Sequence, residues 1–136
     1  MAESARHRAM KAAVRKDLER ECYEVVEEPL SPSGGRATWS SYRPDLLGYR
    51  AEGGEEELVL VECETRPEMG RFLSKNDGSV WFQPFLFGNG SVRRILAVPR
   101  GRLGRVDLRL REKWEIWVVG PGGSLEKVPA KGERAK

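Results

Sequence analysis

The sequence is poor in the residues that build soft-metal and nucleophile-based sites: among 136 residues it has two cysteines, Cys22 and Cys63, and one histidine, His7. Two thiols cannot complete a tetrahedral thiolate zinc site, and one histidine in the N-terminal segment leaves no base for a Ser-His-Asp or Cys-His pair. Long apolar runs are missing as well. Nothing approaches the roughly 18–20 residues needed to cross a bilayer, and Met1 to Lys16 is polar and basic, without the apolar stretch of a secretory signal. These absences lead us to expect a cytoplasmic protein with reduced thiols, no membrane partner, no structural zinc and no small-molecule cofactor. Whatever chemistry the chain performs then falls to carboxylates, amines or a hard metal.

What is present suffices for one domain. With 39% hydrophobic and 33% charged residues, the length allows one real core and is too short for two. We expect a single domain over residues 1–130 and a frayed tail over 131–136. Abundant Glu and Arg beside few Asn and Gln is a composition associated with thermophiles. The net charge of +3 conceals a segregation: residues 1–16 carry +4, 17–65 carry −9, 66–92 carry +1 and 93–136 carry +7. An acidic middle between basic ends suits a cation site beside a surface for polyanions, although charges scattered over solvated faces would give the same totals.

Residues 4–22 lack Gly and Pro, and Met10, Val14 and Leu18 recur every four residues, which predicts an amphipathic helix. Tyr23 to Val26 reads as a short strand, and Pro29 to Thr38 as a surface loop. Tyr42 to Arg50 and Leu58 to Glu64 read as two strands of a hairpin, joined by the polar segment 51–57. The run Leu58-Val59-Leu60-Val61 marks a strand buried on both faces. Pro67 fits the first turn of a helix, whereas residues 77–90 are ambiguous because Pro84 interrupts an aromatic-rich stretch. Arg93 to Pro99 reads as a buried strand. Leu103, Val106, Leu110 and Trp114 predict a second amphipathic helix carrying Arg102, Arg105, Arg109 and Arg111 on its outer side. Glu115 to Val119 is the last strand. The order predicts an α/β fold with a single mixed β-sheet flanked by helices.

Three acids in this order need an explanation. Side chains alternate along a strand, so Glu62 and Glu64 share one side and Cys63 takes the other. An antiparallel hairpin brings Asp45 to the level of both. Unit charges about 4 Å apart repel by roughly 4 kcal/mol at an effective dielectric of about 20, and a hard divalent ion relieves this. Asp45, Glu62 and the carbonyl of Cys63 suit Mg²⁺ or Mn²⁺, with Glu64 left to orient or deprotonate a water. Pairing of these acids with Arg43, Arg50 or Arg66, without metal, is the other reading.

The arrangement of helix, strand, Arg43-Pro44-Asp45, turn, apolar strand, Glu62-Cys63-Glu64, helix and apolar strand resembles the PD-(D/E)XK nuclease superfamily. It is most similar to small archaeal members built like Holliday-junction resolvases, over residues 8–119. The resemblance implies a restriction-endonuclease-like fold, DNA as partner and Mg²⁺-dependent endodeoxyribonuclease activity. It makes Asp45 and Glu62 metal ligands and puts Glu64 where the superfamily usually has lysine. That departure leaves two outcomes open, a nuclease that uses Glu64 or a catalytically inactive module that binds nucleic acid or a protein. Resolvases often bring an acid from the first helix to the metal, whereas this helix offers Lys11 and Arg15, with Asp17 and Glu21 further along. The resemblance also points to a homodimer, since cutting two strands takes two sites.

Phosphate contacts would come from Arg43, Arg66, Arg71 and Lys75 near the acids and from Arg102, Arg105 and Arg109 on the second helix. Local salt bridges and a solvated helix face are the plainer readings of the same residues. Trp81, Phe82, Phe85 and Phe87 would either stack on unpaired bases or fill a core or subunit contact. Gln83 matches the glutamine-and-aromatic feature of RecB-type nucleases only faintly.

Overall fold

The side chain of Ser4 accepts a hydrogen bond from the His7 N–H at 3.1 Å and caps α1, Ala5–Arg20. The computed structural model describes residues 4–27, 45–65, 90–106, 111–112 and 114–130. At the other end of α1, Cys22 lies at φ 72°, and the N–H groups of Cys22 and Tyr23 return to the carbonyls of Glu19 and Leu18. This is a Schellman closure with cysteine where glycine is usual. The strained backbone turns the chain straight into β1, Glu24–Glu27.

β2, Leu46–Glu52, and β3, Glu55–Cys63, form the expected hairpin, with Leu46 opposite Val61 and Glu52 opposite Glu55. The connection is tighter than the polar segment 51–57 suggested. Gly53 and Gly54 at φ 62° and 85° supply a two-residue turn of the left-handed kind that matches strand twist, so both strands run on into the charged residues. β4, Gly90–Pro99, then lies parallel to β3, and β5, Glu115–Val119, lies parallel to β4. β6, Leu125–Val128, returns antiparallel to β5 and completes one mixed six-stranded sheet in the order β1-β2-β3-β4-β5-β6. The short outer strands carry Glu24, Glu27, Glu126 and Lys127, charges that discourage edge-to-edge pairing.

The sheet divides the core. On one face Met10, Val14 and Leu18 of α1 pack on Leu46, Val59, Val61, Ile95, Ala97 and Trp117. On the other face lie Leu58 and Leu60 beside Leu47 and Val92, and further along Leu96, Val98, Val106, Trp114, Ile116 and Val118. The four-residue run Leu58–Val61 is buried throughout, as expected of a central strand with cover on both faces. Among the described residues no helix is long and apolar enough to cross a membrane.

Two expectations change. Residues 103–105 form one 3-10 turn, and Val106 follows in extended conformation at φ −75° and ψ 129°, so a continuous helix over 102–111 does not form. The three-and-four spacing reflects the chain folding Leu103, Val106 and Trp114 against the sheet face that α1 leaves open. β6 was not legible at all: Leu125-Glu126-Lys127-Val128 is an edge strand half-covered at its two ends, too short and polar to show a period. The expected loop at 29–38, the helix beginning at Pro67, the ambiguous stretch 77–89 and the tail 131–136 lie outside the described residues.

Candidate functional site

The hairpin ladder ends at Leu46 opposite Val61, and Asp45 stands in a bend one residue before β2. The N–H of Asp45 donates to the Val61 carbonyl at 3.0 Å, and its own Oδ2 accepts from the N–H of Cys63 at 2.8 Å. Backbone and side chain of Asp45 are thus both tied to the end of β3. The N–H of Glu64 donates to the Ala97 carbonyl at 2.9 Å, continuing the ladder with β4 beyond Cys63. Cys63 packs into the α1-side core, so alternation sends Glu62 towards the opposite face. Asp45, Glu62 and Glu64 are all half-buried, and Glu62 Oε1 is shielded from solvent. Asp45 is thus bonded to Val61 and Cys63, the residues on either side of Glu62.

The first helix contributes a residue that sequence reasoning passed over. His7 Nε2 lies 2.9 Å from the Cys63 carbonyl oxygen and 3.5 Å from Asp45 Oδ2. A carbonyl only accepts, so Nε2 carries the proton and the ring is held with its N–H between two oxygens. The signal was available: His7 stands three residues before Met10 and extends the stripe Met10, Val14, Leu18 towards the N-terminus. Lys11 and Arg15 point elsewhere. Arg15 pairs with Glu19 and Glu27 at 3.1 Å, and Lys11 lies 4.0 Å from Glu27, both against the β1 edge.

Arg50, one proposed salt-bridge partner of the three acids, lies at the other end of the hairpin, where it bonds Glu57 at 3.0 Å and the Glu21 carbonyl at 2.9 Å. Arg102 and Arg105 sit on the 3-10 turn after β4, half-buried and exposed respectively, instead of lining a helix. Arg43, Arg66, Arg71, Lys75, Gln83, Arg109 and the aromatic set Trp81, Phe82, Phe85 and Phe87 lie outside the described residues.

The donors gathered at the end of β3 are oxygens, a carboxylate and a carbonyl, the kind a hard cation takes. Asp45 Oδ2 and the Cys63 carbonyl already converge on one polarised hydrogen, that of His7, while the Glu62 side chain follows the alternation of β3 towards the other face. Among the described residues no group of three or more His, Cys, Asp or Glu side chains is placed to hold a metal by itself. A shell here needs the carbonyl, water and a phosphate oxygen as well, which is the manner in which Mg²⁺ usually binds.

A second polar cluster lies at the opposite end of the strands, under the C-terminal half of α1. The Arg50 guanidinium stacks 4.3 Å from the Tyr23 ring centre, and the Tyr23 hydroxyl donates to Glu57. Arg93 donates to that hydroxyl at 3.3 Å and binds Glu115 through Nε at 2.5 Å and Nη2 at 3.0 Å. Burial alone would lower the Arg93 pKa, but the Glu115 carboxylate outweighs it and holds the guanidinium above its ordinary value. Burial, then the Glu57 bond, pushes the Tyr23 phenol up. A raised phenol pKa means the folded state keeps a proton that the unfolded chain releases near pH 10, so its contribution is complete below pH 10 and is lost as pH climbs towards the folded value. Tyr23→Phe is expected to flatten the alkaline loss of stability, checked by urea midpoints at pH 9 and pH 11; an unchanged slope would exclude this group.

These residues define an α/β domain with one mixed sheet and an acid-bearing hairpin end faced by the first helix. Comparison with protein-family models finds no match, and neither does comparison with curated proteins. Solved structures similar to the chain include the following two. One is an fdxN element excision controlling factor protein from Anabaena variabilis, with a TM-score of 0.46 at 14% identity over 88% of this chain and 98% of that one. The other is an XisH family protein from Nostoc punctiforme, with a TM-score of 0.46 at 17% identity over the same shares.

Proposed function

We propose that the chain is a metal-dependent nuclease of restriction-endonuclease-like architecture that binds DNA and hydrolyses its phosphodiester bonds. The observation that carries this reading is the attachment of Asp45 to the end of β3, at Cys63 between Glu62 and Glu64 and beside the Cys63 carbonyl. Asp45, Glu62 and that carbonyl would hold Mg²⁺ or Mn²⁺, which supplies Lewis-acid stabilisation of charge on the phosphate and acidifies a bound water. Glu64 orients the attacking water and accepts its proton. His7 keeps the Cys63 carbonyl and Asp45 in mutual register, a positioning role.

Two features favour a second reading, a nuclease fold kept as a binding module. Glu64 replaces the lysine of the motif that the sequence resembles, and Asp45 Oδ2 already serves the Cys63 N–H. Calorimetric titration of Mn²⁺ into the wild-type protein, followed by incubation with labelled duplex, single-stranded and branched DNA, separates the two. Saturable Mn²⁺ binding with Mn²⁺-dependent cleavage is the expected result. DNA binding without either would establish the module.

A further inference from the structure

A wide groove of about 1170 Å³ runs between α1 and the β5–β6 turn, away from the three acids. Arg6, Lys16 and Arg20 of α1, Arg100 after β4 and Lys127 of β6 line it, all exposed, against one acid, Asp17. Asp17 is engaged by Lys127 at 2.6 Å and lies 3.7 Å from Arg20. The groove therefore keeps a strong positive excess. Its helical wall is a single stripe: positions 6, 9, 13, 16 and 20 recur at three and four, with Ala9 and Ala13 between the cations. From Arg6 to Arg20 this stripe spans about 21 Å at 1.5 Å per residue.

Small residues make up much of the rest. Gly122 and Gly123 of the turn line the groove, and a Cβ built on Gly123 would lie 3.8 Å from that of Ala13, so turn and helix close together there. Met10, Pro99 and Val119 at the groove are buried and Leu125 half-buried, so among the described residues no aromatic and no large exposed aliphatic side chain offers the anchor protein partners seat in a pocket. The concave shape also presents poorly to a flat lipid surface. A row of exposed cations over an Ala and Gly floor matches a chain that is charged at regular intervals and approaches by its backbone.

We infer that this groove is a phosphate-backbone track for nucleic acid, with Arg6, Lys16, Arg20 and Arg100 as its contacts. The inference deepens the nuclease reading and rests on it for the identity of the polyanion. Arg6 is the chain neighbour of His7, so the helix that carries the track also reaches the end of β3. None of the four was evident as a contact from sequence, because their common stripe becomes a groove only when β6 and its turn close over α1.

The test is fluorescence anisotropy with labelled duplex DNA in EDTA, which keeps binding apart from cleavage, over a range of salt. A quadruple variant, Arg6→Gln, Lys16→Gln, Arg20→Gln and Arg100→Gln, is compared with a charge-matched control, Arg8→Gln, Lys131→Gln, Arg134→Gln and Lys136→Gln. The groove variant is expected to bind about a hundredfold more weakly, with the slope of log K against log salt reduced by about 3–4. The control should move much less, and far-UV circular dichroism should match wild type for both. Equal losses in the two variants, or equal affinity of the wild type for poly-glutamate, would overturn the track while leaving a DNA-binding nuclease intact. A wild-type protein that binds no DNA would remove the nuclease reading as well.

Discussion

Asp45→Ala is expected to abolish Mn²⁺ binding and to lower metal-dependent DNA cleavage by about 10³-fold or more, since several kcal/mol of charge stabilisation depend on the ion and each decade of rate corresponds to about 1.4 kcal/mol. Alanine also removes the acceptor for the Cys63 N–H. Leaving that buried donor unpaired costs about 1–3 kcal/mol of stability, so loss of activity in this variant alone would be ambiguous. Asp45→Asn resolves it. The amide oxygen can still accept from Cys63, which preserves the end of the hairpin, but the charge that a cation needs is gone. Asp45→Asn is expected to melt near wild type and to show neither calorimetric Mn²⁺ binding nor cleavage. Full metal-dependent cleavage by Asp45→Asn would remove Asp45 from the chemistry and leave it as a latch on β3.

The parts of this arrangement that were legible in the sequence are those set by short-range periodicity. Met10, Val14 and Leu18 announced α1, and Leu58 to Val61 announced the central strand, because burial on one stripe or on both faces writes itself into adjacent residues. The level of Asp45 followed from the hairpin, since a tight antiparallel turn leaves few registers. For His7 the stripe showed only the face of α1 it shares with Met10; its partner, the Cys63 carbonyl 56 residues away, is a backbone acceptor that leaves no mark in the residue type. The basic groove was hidden for the same reason, as it joins one face of α1 to residues at 100 and 120–127. Residues 103–106 misled because a short 3-10 turn followed by extended backbone lays Leu103 and Val106 on the sheet at helical spacing.

The same long-range logic makes Arg93 a charged residue whose loss should cost heavily in stability. Both nitrogens of its fork bind Glu115, a carboxylate only 8% exposed that also accepts from the Trp117 indole at 3.1 Å. The guanidinium lies 5.6 Å from the Trp117 ring, and Lys127 stacks on that ring at 4.4 Å while binding Asp17 of α1. The pair therefore holds β4 to β5 under the helix. Arg93→Ala would strand Glu115 with one neutral donor, and breaking a buried pair from one side typically costs about 3–5 kcal/mol. The Arg93 side chain retains 23% exposure, so water can enter and the expected loss is about 2–4 kcal/mol, or roughly 10 °C in Tm for a domain of this size. Arg93→Lys should recover only part, because an ammonium cannot satisfy both carboxylate oxygens in the fork geometry. The double variant Arg93→Met with Glu115→Leu should recover most of it, since the desolvation cost of two charges disappears along with their attraction. Urea and thermal melts of the four proteins check the order. If the double variant were no more stable than Arg93→Ala, the contribution of these residues would lie in the shape they fill between α1 and the sheet, and the charge pairing would be secondary.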